Sequence, residues 1–182
     1  MQQIGARYLA SVAGRLAKSG RFIDKMPLNF LYVGFILNAL PNAKVVCLRR
    51  NPLDTCLSNF RQLFAIHFSY YNYHYDLTDT AGYYILFDEL MSHWRTAYGE
   101  RIYEVLTAEP ETQVRALLDY LELLWDPACL EFHSNTTAVA TASTMQVRQP
   151  IYQTSVARWK KYEPQLRDVK AMFDRHGIDY SR

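Results

Sequence analysis

At 182 residues the chain is long enough for one domain and short for two, so a single domain over residues 1–182 is the expectation. Apolar residues make up 49%, charged residues 21%, and there are only 7 Gly and 7 Pro, a make-up that excludes a disordered, collagen-like or membrane-bundle chain. Lys and Arg number 20 against 18 Asp and Glu, and the resulting +2 is too small a balance for nucleic acid as the main partner, so any anion site must be local.

Residues 4–16 space Ile4, Tyr8, Val12 and Leu16 at intervals of four, which predicts an amphipathic helix stopped near Ser19-Gly20. Its basic residues Arg7 and Arg15, with Lys18 and Arg21 beyond it, read as a surface face rather than a presequence. Residues 21–25 predict a short strand, and Pro27 pre-sets a helix that runs to the break at Pro41-Asn42. Residues 44–48 form a continuous apolar run, the pattern of a strand buried on both faces of a parallel sheet, and it ends in Arg49-Arg50. Asn51 can then cap and Pro52 start a helix whose stripe is Leu53, Leu57, Phe60 and Phe64, with Thr55, Ser58 and Gln62 on the other side. Residues 68–75 are aromatic without a period and predict a loop or irregular helix. Tyr84, Phe87, Met91 and Trp94 mark another helix, residues 101–106 a third strand, and residues 111–124 a helix with Val114, Leu117, Leu118 and Leu121 inward. Residues 134–152 read as loop. The end is helical, interrupted at Pro164, with Leu166, Val169, Met172 and Phe173 on one face.

Strand and helix alternating is the order that builds an α/β fold, a parallel sheet flanked by helices, with ligands at the carboxyl ends of the strands. That rule puts Lys25 and Arg50 on one rim. An Arg fork with a Ser hydroxyl two turns on suits a phosphate, although on spacing alone Arg50 could simply pair with Asp54 and Ser58 be solvated. Cys47, Cys56 and Cys129 are an odd count without a CxxC pair and read as reduced thiols in a cytoplasmic setting. Glu89 with His93 and Cys129 with His133 have metal-compatible spacing but no second pair nearby, so no metal is expected. No run approaches the length of a membrane span. Neither GxSxG nor GxxxxGK[ST] occurs, which disfavours a hydrolase elbow and a P-loop kinase.

Taken together, several segments resemble the sulfotransferases, and within them the bacterial group related to protein-tyrosine sulfotransferases that is often fused to tetratricopeptide repeats. The matching text is Asp24-Lys-Met-Pro-Leu-Asn-Phe30, Leu40-Pro-Asn-Ala-Lys-Val-Val46, Arg50-Asn-Pro-Leu-Asp-Thr-Cys-Leu-Ser58, His93-Trp94, Thr141-Ala-Ser143, Gln146-Val-Arg-Gln-Pro-Ile-Tyr152 and Ser155-Val-Ala-Arg-Trp159. The resemblance implies a fold similar to nucleotide kinases and transfer of a sulfuryl group from 3′-phosphoadenosine 5′-phosphosulfate to a hydroxyl acceptor, protein tyrosine included. It also implies roles: Arg50 and Ser58 on the 3′-phosphate, Lys25 beside the sulfuryl group and bridging oxygen, and Arg148 as a further cation on the nucleotide.

Three departures accompany the match. The Gly/Ser/Thr-rich loop that cradles the 5′-phosphosulfate in similar enzymes has no counterpart here. Pro27 stands where cytosolic relatives have a histidine base, and residues 106–110 are shorter than the corresponding stretch. A parallel sheet without its first strand exposes edges and an apolar face. The expectation is therefore a partial domain, one completed by another chain or by an oligomer, with weak donor binding alone. The alternative is a non-catalytic nucleotide-binding or interaction module derived from a sulfotransferase.

Overall fold

Two runs rich in β-branched and aliphatic residues form a pair of parallel strands, β1 (Val45–Arg49) and β2 (Ile102–Leu106). The computed structural model describes residues 1–15, 21–64, 69–106, 110–131 and 156–181. Before β1 come helices α1 (Gln2–Val12) and α2 (Val33–Ala39), the second entered through a 3₁₀ turn over Pro27–Tyr32. Between the strands run α3 (Pro52–Phe60), a 3₁₀ stretch over Ser69–Tyr75 and the long α4 (Leu77–Tyr98). After β2 follow α5 (Pro110–Tyr120), a 3₁₀ turn over Arg158–Tyr162 and α6 (Arg167–Arg175). The result is a helix-rich α/β fold with a small parallel sheet. Among the described residues no helix is long and apolar enough to cross a membrane. Backbone contacts divide the chain into two units, Met1–Cys47 with Leu86–Tyr103, and Leu48–Ile85 with Glu104–Arg182.

In the first unit the core is Val33, Leu37, Met91 and Ile102, flanked by Phe30, Phe87 and Trp94. Trp94 packs its ring over Gly34 and donates from Nε1 to the Phe30 carbonyl at 2.9 Å. Pro41 ends α2 without a capping glycine, and Arg101 takes the place of a cap. Its guanidinium donates to the carbonyls of Leu37 (3.1 Å) in the last turn of α2, Leu40 (3.0 Å) at its C-cap and Ala43 (3.2 Å) beyond it. This one side chain ties the entry of β2 to the approach to β1.

The first helix crosses α2 at Gly5, where an added Cβ would lie 1.9 Å from the Ala39 carbonyl oxygen. Gly5→Ala should therefore lower the unfolding free energy by about 1–3 kcal/mol, since two backbones must separate. Gly82→Ala, in α4 with open space around it, should raise it by about 0.5–1 kcal/mol through helix propensity. Urea unfolding of the two variants beside the parent checks both signs.

In the second unit α3 buries Leu53, Cys56 and Leu57, and α6 buries Leu166, Val169 and Phe173. Tyr84 of α4 meets Phe173 with ring centroids 5.5 Å apart. The face of α5 that carries Val114, Leu117 and Leu118 is half-buried, and the helix ends at Tyr120, four residues before the expected Leu124. There Leu123 N–H bonds back to the Leu118 carbonyl and Glu122 turns left-handed, which closes the helix.

Four expectations need correction. Helix α3 stops at Phe60, which is exposed, so its buried stripe is Leu53 and Leu57 and does not run on to Phe60 and Phe64. Residues 21–25 form no strand: the segment is exposed, with Ile23 92% accessible, and extended backbone without a partner ladder remains coil. Burial along β1 alternates, leaving Val46 and Leu48 outward, so this strand is covered on one face rather than two. In α1 the expected stripe holds only in part: Tyr8 and Val12 are half-buried, but the packing face runs through Gly5 and not through Ile4. Ile4 is exposed and Gly5 is buried, because the close crossing with α2 selects the residue without a side chain. The predicted stop at Ser19-Gly20, Phe68 and the loop over 134–152 lie outside the described residues.

Candidate functional site

The second unit carries α3, with Arg50 in the link before it and Ser58 in its last turn. Strand β1 closes in Arg49, which turns to β2 and pairs with Glu104 at 3.3 Å, both side chains largely covered. Arg50 follows in the link to the helix. Asn51 is the N-cap: its Oδ1 accepts from the amides of Leu53 (3.0 Å) and Asp54 (3.2 Å), and Pro52 occupies the first helical position, as the Asn-Pro pair leads one to expect. Thr55 Oγ1 donates back to the Asn51 carbonyl at 3.0 Å. Ser58 lies on the exposed side, about 10 Å along the helix axis from Asn51 at 1.5 Å per residue, which is close to two full turns.

Spacing alone offers Asp54 as a partner for Arg50, and the structure adds a long-range role. Asp54 is 4% accessible, and its two oxygens accept from main-chain amides far along the chain, Oδ1 from Trp159 and Oδ2 from Ala157, each at 2.8 Å. Asn51 makes a parallel long-range contact, Nδ2 donating to the Tyr180 carbonyl at 2.9 Å. A local sequence pattern contains no signal for either contact beyond an acid placed beside the buried Leu53 and Leu57.

Lys25 belongs to the first unit. It stands exposed on the extended segment between Asp24, which accepts a hydrogen bond from the Tyr8 hydroxyl of α1, and the turn started by Pro27. That bond, with burial second, pushes the Tyr8 phenol up to about 12. Tyr8 also meets Phe22 with ring centroids 6.2 Å apart and planes tilted by 37°, so the backbone just before Lys25 is held from one side. Arg148 lies outside the described residues.

The aromatic stretch over Ser69–Tyr75 divides between packing and exposure. Tyr73 stacks on Tyr83 with centroids 4.0 Å apart and planes within 5°, and its hydroxyl donates to Asn59 of α3 at 3.2 Å. Burial, with Tyr83 and Tyr71 nearby, pushes the Tyr73 phenol up to about 12, which makes it a poor proton acceptor at neutral pH. Tyr70 and Tyr75 face outward. Cys56 is buried and its thiol is pushed up to about 12 by desolvation, an inert side chain as expected of a structural cysteine.

Two comparisons bear on this arrangement. A family model described as the sulfotransferase family matches residues 1–127. A protein of Aquifex aeolicus (strain VF5), described as uncharacterized, is 41% identical over 168 residues, an overlap that takes in 89% of this chain. The chain spans 22% of the length of that relative.

Proposed function

The chain belongs to the sulfotransferase family, and from that premise we propose that it works in sulfuryl transfer from 3′-phosphoadenosine 5′-phosphosulfate to a hydroxyl, with Arg50 and Ser58 gripping the 3′-phosphate. What carries this reading is the first turns of α3. Ser58 faces solvent two turns above the cap, and the first turn is anchored by Asp54, whose two oxygens accept from the amides of Ala157 and Trp159. The start of α3, where Asn51 satisfies the first amides, also turns the positive end of the helix dipole toward the side of the chain that carries Arg50.

In the reaction the acceptor oxygen bonds to sulfur, the bond from sulfur to the bridging oxygen breaks, and the nucleotide leaves as 3′-phosphoadenosine 5′-phosphate while the acceptor proton passes to a base. The Lys25 ammonium would stabilise charge growing on the bridging oxygen without moving a proton itself. Arg148 would add a third cation, and a tyrosine hydroxyl is the acceptor that the subgroup resemblance suggests.

The chain should bind 3′-phosphoadenosine 5′-phosphate at least about tenfold more tightly than 5′-AMP, because a charge-assisted contact to the extra phosphate contributes about 1.5–3 kcal/mol. Titrations followed by NMR chemical shifts read this ratio even where both affinities are weak. Equal binding of the two nucleotides would discard the reading.

A further inference from the structure

Resting on the reading of Arg50 and Ser58 as the 3′-phosphate grip, we infer that Asn51 and Asp54 are positioning residues that set the rotation and height of α3 and so decide how that phosphate is held. Leu53, Cys56 and Leu57 bury the inner side of α3, but apolar contact is non-directional and leaves a short helix free to turn or slide slightly. The directional contacts come from its first turn. Asp54 takes the amides of Ala157 and Trp159 and Asn51 donates to the Tyr180 carbonyl, three bonds of 2.8–2.9 Å to main chain more than 100 residues away. They act near the functional groups: Asn51 is the residue after Arg50, and Ser58 stands four residues, about one turn, beyond the buried Asp54.

The receiving side is built for an anion. Ala157 adopts φ 56°, a left-handed conformation that a residue with a Cβ seldom takes, and the turn aims two amides at one point. Asp54 fills that point from within, where both donors are matched at once. A neutral amide at position 54 could accept from one of them and would face the other with a donor.

Charge alone predicts the opposite outcome to positioning, which makes the test sharp. Removing the negative Asp54 raises the local potential and should favour the more highly charged nucleotide. If Asp54 instead sets the geometry of the grip, D54N should reduce the preference for 3′-phosphoadenosine 5′-phosphate over 5′-AMP by at least about threefold, the effect of losing roughly one hydrogen bond. The affinity for 5′-AMP should stay within about twofold, since the common 5′-phosphate is not held by this helix. N51S keeps a capping oxygen but lacks the donor to Tyr180, so it should fold and show the same change in smaller measure. Titration of the parent and both variants with the two nucleotides, beside their melting curves, gives the answer. A preference that is unchanged or raised in N51S and in folded D54N overturns the inference, as does equal weakening of both nucleotides, which marks a structural role alone. If D54N does not fold, N51S decides. A parent chain with no preference sinks the reading of the grip itself, and the inference with it.

Discussion

Arg50→Ala should weaken binding of 3′-phosphoadenosine 5′-phosphate by about 1.5–3 kcal/mol, roughly tenfold to a hundredfold, while moving 5′-AMP little. The asymmetry follows from the reading of the grip, in which Arg50 meets the one phosphate that separates the two ligands. Arg49 cannot stand in for it, because its guanidinium is turned to Glu104 on the neighbouring strand. Arg50→Lys should fall between the parent and the alanine variant, since a lysine keeps the charge and loses the planar fork. Calorimetry or NMR titration of the three proteins checks the order. An alanine variant with the affinity of the parent removes Arg50 from the site.

Asp54→Ala should cost about 2–4 kcal/mol of folding stability, the largest loss expected from a single polar side chain in the described part of the second unit. Truncation leaves the amides of Ala157 and Trp159 without their acceptor in a buried place, and each unsatisfied buried donor costs about 1–3 kcal/mol. Two features limit the loss: the left-handed strain at Ala157 can relax once its amide is released, and water can enter the space of a carboxylate. Urea unfolding followed by circular dichroism gives the difference, and a value below about 1 kcal/mol would show that the two amides find other partners.

The elements that sequence made plain are those whose cause is local. Asn51-Pro52 carries its own cap and its own backbone constraint, so α3 begins where expected and its cap bonds are those a side-chain carbonyl can make. The break at Pro41-Asn42 and the four apolar positions along α4 are local in the same sense. The segment over residues 21–25 has strand composition, yet a strand is a relation between two stretches of chain, and no sequence window contains the partner. The two faces of β1 behave likewise: a run of apolar residues states that burial is affordable on both sides, and only the tertiary structure decides that Val46 and Leu48 look outward. For the site, Ser58 on the outer face of α3 is what helical periodicity predicts. Asp54 and Arg101 show what periodicity omits. Each satisfies main-chain groups that are remote in sequence, and a carboxylate or guanidinium destined for backbone looks, in the primary structure, like any surface charge.

Cys56, sealed on the inner side of α3 with a thiol held protonated at neutral pH, makes the molecule its own chemical clock. An alkylating reagent meets Cys129 at the surface at once, whereas Cys56 becomes available only in those moments when α3 lifts off the packing that covers its inner side, with Leu53 and Leu57, and the sulfur reaches water. The rate at which that one sulfur is labelled therefore measures how often the helix bearing Arg50 and Ser58 comes loose, without any engineered probe.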